Sequence, residues 1–457
     1  MKPTKVPTQP VQKRIANFHE VELGFSKKVA VEEARKFPQS HTPSCQPKCP
    51  LGVDILDFIR LLREGDFFEA YKKIREENDL PAVCGRICLA PCEEEFVVAG
   101  KKMPIDVRAL ERFAADHGRP KFFGREKLTC AKERVAVIGS GPAGLSAAAL
   151  LAREYYCVTV FESLPVLGGV LRYGIPEFRL SQGVLDAEIS QIRDLGVEFQ
   201  TNVTVGQTVT CEQLFDQGFA AVLLAAGRSR PRFLDIPGTD AAGVFYAQEI
   251  LLKLNFSEAV FEREFGQGLG HQVVVIGSQG MALDCARACR RLGKEVALVF
   301  PGTEADVDIH RNEVAYAKEE GVGFQAMLQP AAVELGAEGQ VKGLRCVRMD
   351  FADKKGQWVL VPVPGTETVL PADAVIVAQG SDVNPLVRRM LPGLKCNPDQ
   401  TLWIDAETGE TSVPKVFATG DLVDARGRVL DAMVSGKWAA EKIIKCLTVG
   451  RDLPASA

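Results

Sequence analysis

The sequence predicts an α/β protein in which two nested dinucleotide-binding domains follow an all-helical amino-terminal domain. Three observations carry that prediction. Residues 1 to 130 hold helical patterns such as "ILDFIRLLREGDFFEAYKKIREEN" and "IDVRALERFAADHG", with no convincing alternating strand. From Arg134 the style changes: "RVAVIGSGPAGLSAAALLAREYYCVTVFES" is an apolar β run, a glycine turn, a small-residue helix and a second strand. A second such unit, "QVVVIGSQGMALDCARACRRLGKEVALVF", starts at Gln272. Short apolar runs lie between and beyond the two units, in "GFAAVLLAAG", "ADAVIVAQG" and "KVFATGDLV". They are read as the buried strands that complete the two sheets. The expected division is 1–130 for the helical domain, 131–250 with 375–457 for the first nucleotide domain, and 251–374 for the second, inserted into the first.

The bulk composition agrees with several folded domains. At 457 residues the chain exceeds one ordinary core, and 46% hydrophobic with 25% charged residues is a globular balance. A net charge of −4 gives no reason to expect nucleic acid or an anionic membrane as partner. The opening "MKPTKVPTQPVQKR" lacks the apolar stretch of a signal peptide, and no apolar run reaches bilayer length. A cytoplasmic location is expected. Of the thirteen cysteines, five fall between residues 45 and 92. The other eight (Cys130, Cys157, Cys211, Cys285, Cys289, Cys346, Cys396 and Cys446) sit mostly among apolar residues and are expected as free, buried thiols. No disulfide framework is expected.

In "GSGPAG", Gly139 makes the tight turn, Gly141 lets the backbone approach a pyrophosphate, and Gly144 lets helix pack on strand. Pro142 and Ala143 open the helix, whose amino terminus faces the phosphates. Glu162 ends the next strand, where a carboxylate accepts from ribose hydroxyls and repels a 2′-phosphate. FAD or NAD is therefore expected here rather than NADP. The late strand ending in "ATGDLV", with Gly420 and Asp421, resembles the second flavin motif of two-dinucleotide-domain flavoproteins, which favours FAD. Gly227, at the end of "GFAAVLLAAG", is placed in the same site.

With "GGVLRYGIPEFRL", "PRFLDIPG" and "CPLGVDILDFIRLLREGDFFEAYKKIREENDLPAVCGRIC", the chain resembles the glutamate synthase small-subunit family from about residue 30 to 445. That family includes the NADPH-binding subunit of electron-bifurcating ferredoxin–NADP oxidoreductase and the amino-terminal part of dihydropyrimidine dehydrogenase. The resemblance implies FAD, a nicotinamide-nucleotide site, [4Fe-4S] clusters and electron transfer to a partner subunit. It also places Gly168, Gly169 and Arg172 near the flavin.

A [4Fe-4S] cluster needs four ligands. The family's first cysteine group resembles Cys-x2-Cys-x4-Cys-x3-Cys, but here its first two positions are Phe37 and Ser40, followed by Cys45 and Cys49. The second group lacks its last cysteine, replaced by Phe96. One of the family's two clusters thus loses three ligands and is expected to be missing. For the other, the resemblance implies Cys49, Cys88, Cys92 and one side-chain oxygen from a helix matching "ALERFAAD", which is Glu111. Whether Cys45 or Cys84 binds metal stays open, and a site that binds nothing or binds zinc is the alternative.

The second glycine loop is altered. "VIGSQGMALD" keeps Gly277 but has Gln279 at the second glycine position, with Gly280 after it. The family's arginine pair at the end of the next strand, suited to a 2′-phosphate, is replaced by Pro301 and Gly302. NADPH of the family type is not expected; NADH using Glu304 or Asp306, or no nucleotide at all, stays open.

The function expected is that of an electron-transfer flavoprotein subunit. It would pass electrons between a nicotinamide nucleotide, FAD, one [4Fe-4S] cluster and a larger oxidoreductase subunit, with no side-chain acid–base catalyst required. The alternatives are a non-catalytic FAD and iron–sulfur relay or docking subunit, and a glutamate synthase small chain in the strict sense.

Overall fold

The structure is a computed structural model that describes residues 4–37, 49–94, 97–98, 101–102, 105–120, 129–257, 268–354, 356–424 and 426–449. Cys45, Ser40 and Phe96 lie outside the described residues. Phe37 is described and lies in the core, 5% exposed.

The amino-terminal part is built from helices Lys27–Arg35, Ile55–Glu64, Phe67–Arg75, Pro81–Ile87 and Val107–Gly118. Their starts are written in the sequence: Asp54, Asp66 and Asp106 each accept a hydrogen bond from the backbone N–H three residues on. Gly65, in the left-handed conformation at φ 87°, ends one helix immediately before Asp66 starts the next. Two of the helices cross very closely at Gly85, where a Cβ would stand 2.5 Å from the backbone of Arg112. One two-residue antiparallel ladder, Val97–Val98 with Lys101–Lys102, departs from the all-helical expectation.

The first nucleotide unit forms a five-stranded parallel sheet. Its order is Val416–Ala418, Phe219–Leu224, Arg134–Ile138, Cys157–Phe161, Glu198–Gln200. The second has five parallel strands in the order Gly323–Gln325, Glu295–Val299, Gln272–Ile276, Ala374–Val377, Val244–Tyr246. An antiparallel sheet, Leu328–Leu335, Val341–Lys354 and Gln357–Pro362 with Thr368–Pro371, is appended to it. The two connections between the units run side by side as a short antiparallel pair, Arg230–Pro231 with Ser381–Asp382.

That pair moves the boundaries expected at 250 and 375. Val244–Tyr246 pairs with Ala374–Val377 in the second sheet, so the inserted unit begins before residue 244 and ends after residue 377. The sequence did not reveal this because a buried parallel strand is apolar on both faces and carries no sign of which sheet it joins.

A second difference concerns thiols. Cys130 and Cys157, expected free, form a disulfide. The cause is local: the N–H groups of Ala131 and Lys132 both bond the Tyr155 carbonyl, and the Cys157 N–H bonds Glu133. The segment entering the first sheet is thereby clamped beside the start of the second strand. Cys211, Cys285, Cys289 and Cys346 are free and buried, and Cys396 and Cys446 free and half-buried.

The amino-terminal arm reaches the second unit through buried charge. Glu320, fully buried, accepts from Arg14 at 2.9 Å, from Arg287 at 2.9 Å with each of its oxygens, and from Arg291 at 2.8 Å. Burial opposes its charge, but the Arg287 and Arg291 guanidiniums overcome it and hold the carboxyl down at about 2. Glu320→Gln leaves Arg14 with Glu319 and Arg287 with Glu313 but strips buried Arg291 of its carboxylate partner, and should cost about 3–5 kcal/mol. Because the folded carboxyl is held below the ordinary 4.5, its contribution is complete above that value and fades as pH falls towards about 2. Urea unfolding of the second unit should therefore separate variant from parent at pH 7 and show the gap closing below pH 4.5.

Candidate cofactor sites

The first site is a largely apolar cavity at the junction of the helical domain and the first nucleotide unit. Cys49, Cys84, Cys88, Cys92, Asn78 and Glu111 line it, and Leu430 of the carboxy-terminal helix closes one side. The four residues expected to hold a cluster are thus brought to one cavity, with Cys84 as a fifth acid.

Each donor is placed by its own local structure. Cys88 is the residue at which the Pro81–Ile87 helix stops, with extended backbone at φ −60° and ψ 139°. Ala90, two residues on, takes the left-handed conformation at φ 54°, and its N–H points at the Cys88 sulfur from 3.3 Å. The N–H groups of Val53, Leu51 and Gly52 are aimed at the Cys49 sulfur. Glu111 sits one turn into the Val107–Gly118 helix, and Asn78 donates to its Oε1 at 2.7 Å. Cys84 lies on the Pro81–Ile87 helix, its sulfur 3.7 Å from the Met433 sulfur.

Burial raises every acid in this set. Glu111 is pushed up to about 7, with Asn78 opposing and Glu188 adding to the rise. Cys88 is pushed up to about 12 by burial and by Glu111. Cys49, Cys84 and Cys92 move the same way, burial being the largest cause in each. These donors repel one another when ionised, so they call for a positive core between them. Backbone N–H groups directed at two of the sulfurs favour the thiolate form.

Among the described residues, no three histidine, cysteine, aspartate or glutamate side chains meet closely enough for a single metal ion. A cubane asks for something else: each donor takes its own iron, so the donors stand around a volume rather than a point. Three thiols and a buried carboxyl around an apolar cavity fit that group.

The second site surrounds the first glycine loop. Gly139 is at φ 112° with a Cβ position only 2.5 Å from the Ala225 carbonyl, so the turn admits glycine alone. A Cβ on Gly144 would run into the Gly139 carbonyl. Gly141 caps the Pro142–Arg153 helix, and a Cβ there would meet nothing within 4 Å, which leaves the helix amino terminus open to a ligand. Glu162 is buried at the strand end, its carboxylate accepting from the Ser140 N–H at 3.0 Å and the Leu164 N–H at 2.9 Å.

The structure brings the remaining flavin candidates to the same loop. Gly169 packs on Gly141, and Gly168 donates its N–H to the Ser140 hydroxyl at 3.0 Å. Ala143 meets Gly420, and Asp421 follows in the same short turn. Burial, with Asp424 and Asp431 nearby, raises the Asp421 carboxyl to about 6 against the pull of Arg228. Gly227, at φ 62° with open space at its Cβ position, precedes Arg228, whose Nε donates to the Asp421 carbonyl at 2.8 Å. Arg228 Nη2 and Asp431 Oδ2 are buried with no hydrogen-bond partner. A flavin dinucleotide offers hydroxyl, carbonyl and phosphate groups to such atoms, so these residues fit FAD. Neither atom was anticipated from the sequence; an aspartate and an arginine outside any motif give no signal.

Arg172 is a departure. Its guanidinium bonds the Leu167 carbonyl, Gln182 and Asp186, which ties down the loop beneath Gly168 rather than leaving a cation free for flavin.

The second glycine loop is folded but altered. Gly277 is at φ 146° with its Cβ position 2.4 Å from the Ala378 carbonyl, as tight as its counterpart. Gln279 caps the Gly280–Arg291 helix in extended conformation, and its side-chain oxygen lies near Gly380. At the next strand end, Asp306 folds back over Gly302 and accepts from the Thr303 N–H at 2.7 Å and hydroxyl at 2.9 Å. Glu304 is instead drawn to Lys318.

Comparison with known proteins finds relatives for both parts of the chain. Residues 14–121 match the model for dihydropyrimidine dehydrogenase domain II, 4Fe-4S cluster, and residues 133–438 match that for pyridine nucleotide-disulphide oxidoreductases. The chain is 33% identical over 463 residues to the small chain of glutamate synthase [NADPH] of Escherichia coli (strain K12), covering 97% of each. It is 36% identical over 443 residues to the beta subunit of NADP(+)-dependent formate dehydrogenase of Moorella thermoacetica, covering 90% of this chain but 61% of that one. In fold it is similar to FprA of Mycobacterium tuberculosis in complex with NADPH, at TM-score 0.57 and 20% identity over 72% of this chain and 88% of that one. No helix among the described residues is long and apolar enough to cross a membrane. The chain therefore belongs to the pyridine nucleotide-disulphide oxidoreductase family, as an FAD-dependent electron-transfer oxidoreductase of the glutamate synthase small-chain type with a 4Fe-4S domain at its amino end.

Proposed function

We propose that this chain passes electrons between a nicotinamide nucleotide, FAD and a single [4Fe-4S] cluster held by Cys49, Cys88, Cys92 and Glu111, and hands them to a larger oxidoreductase subunit. One observation carries the reading: the helix Val429–Val449 is a wall common to both sites. Its Leu430 lines the thiol cavity and its Met433 sulfur touches Cys84. On the same helix, Ser435 accepts from the Gly420 N–H at 3.0 Å and bonds Thr419, fixing the turn that carries Asp421. Flavin supplies the change from hydride to single electrons, and an iron–sulfur cluster accepts those singly. The chain's own residues supply placement. The loop from Gly139 to Gly144 takes the pyrophosphate, Asp421 accepts from a hydroxyl of the flavin chain, and the apolar cavity keeps water from the thiolates.

The partner is inferred from the relatives, two of which are named as a small chain and a beta subunit. A cytoplasmic location goes with the same reading. For the nicotinamide nucleotide, the Asp306 carboxylate over Gly302 favours NADH over NADPH, since it stands at the strand end where a 2′-phosphate would have to be received. A second reading, a relay without nicotinamide, is favoured by Gln279, whose side chain stands at the position where the backbone must approach a pyrophosphate.

Two experiments decide these points. In anaerobic mixing, NADH should bleach the flavin band and NADPH should do so at least about tenfold more slowly at equal concentration, a difference of about 1.4 kcal/mol. Gln279→Gly should speed bleaching by NADH by a similar factor; no bleaching by either nucleotide, in parent and variant alike, would establish the relay. Asp421→Ala removes a charge-assisted acceptor worth about 1.5–3 kcal/mol. It should weaken FAD binding by about ten- to a hundredfold, measured by flavin fluorescence on titration of the deflavinated protein.

A further inference from the structure

Glu111 reaches the thiol cavity only because its helix is held in one rotation and at one depth, and Arg108, one turn earlier on that helix, is placed to hold it. The Arg108 side chain is 1% exposed. Its Nη1 donates to the Arg86 carbonyl at 2.7 Å, two residues before Cys88. Its backbone N–H donates to Glu93 Oε1 at 2.9 Å, beside Cys92. Its Nη2 donates to both oxygens of Glu22, at 2.8 and 3.0 Å, and Glu22 also accepts from the Tyr316 hydroxyl at 3.0 Å. One residue therefore grips the chain next to each of two cysteines while its own helix presents the carboxyl.

Other candidates carry less: the exposed Phe351 and Trp358 on the antiparallel sheet have nothing seated on them to name a partner. The Arg108 arrangement differs in that two of its contacts fall on the chain beside Cys88 and Cys92, while Glu22 braces it from the other side. It also differs from ordinary core packing, because a buried arginine with a buried glutamate is commonly no more stabilising than an apolar pair. Its benefit is directional: three bonds in a fixed fork set the angle of a helix more sharply than apolar contact does.

We propose that Arg108, braced by Glu22, is a positioning residue for the fourth ligand, and that without it the helix turns or withdraws enough for Glu111 to lose the iron while the three thiolates keep theirs. This rests on the reading of Glu111 as a ligand given above. The consequence has a specific signature. A cube with one iron poorly held gives up that iron as Fe2+ when a one-electron oxidant, ferricyanide, removes one electron, and a three-iron cluster remains.

The test uses the whole chain purified anaerobically with FAD, in four forms: parent, Glu111→Ala, Arg108→Lys, and the double variant Glu22→Gln with Arg108→Gln. The double variant removes both charges together, so neither is left buried and unpaired. FAD content serves as the control for folding, since the glycine loop is untouched. After ferricyanide, the parent should keep four irons per FAD, and both Glu111→Ala and the double variant should fall to three, with the EPR signal of a three-iron cluster. Arg108→Lys keeps the charge pair but cannot reach Glu22 and the Arg86 carbonyl together, so it should fall between. Four irons retained in the double variant would overturn the proposal. So would loss of all iron in both Arg108 forms, which would make the residue a packing element. Four irons retained in Glu111→Ala would overturn the ligand assignment itself, and the positioning role with it.

Discussion

The arrangement depends on one close approach. A Cβ on Gly436 would run into the carbonyl of Ala143, so the carboxy-terminal helix lies with its backbone against the start of the first glycine-loop helix. That contact sets the depth of the helix Val429–Val449, the last among the described residues. Its first turn then falls against the thiol cavity, and its next falls beside the Gly420–Leu422 turn. With any larger residue at 436 the helix would stand off, and the wall common to the two sites would open. Small residues at the start of that helix are thus a statement about distance between cofactors rather than about helix stability.

Charge is arranged with the same economy. The acids around the thiol cavity are all raised by burial, while those of an outer network are paired with arginines. Glu20, for instance, pairs with Arg86 and Arg112, and Asp116 with the same two. The inner set calls for a positive core between its members; the outer pairs fix the helices that carry the donors. Arg108 joins the outer charges to the cysteine segment, bonding Glu22 through its guanidinium and Glu93, beside Cys92, through its backbone N–H.

Much of this was legible in the sequence. The two β–glycine–helix units and the strand-end acid Glu162 are local signals, set by backbone conformation that only certain residues adopt. The family resemblance added Glu111, which no spacing rule would have selected from among the helix carboxylates. Three things were not legible. The membership of Val244–Tyr246 in the second sheet depends on pairing across more than a hundred residues. The Cys130–Cys157 bond depends on how a linker lies against a strand. The grip of Arg108 on the Arg86 carbonyl and on Glu22 depends on tertiary placement, and the arginine stands in a helix where its neighbours look equally solvated. Arg172 shows the reverse: a cation near a flavin motif whose guanidinium bonds the Leu167 carbonyl and the helix that starts at Gln182.

The proposed electron path needs one flavin and one cluster sharing a wall. Its most direct test is the ratio of iron and acid-labile sulfide to FAD in the intact chain purified without oxygen. Four irons and four sulfides per FAD, as one cubane requires, is the result predicted. A ratio of eight would mean that a second cluster is held by residues assigned no such role, and a flavoprotein without iron would contradict the central claim outright.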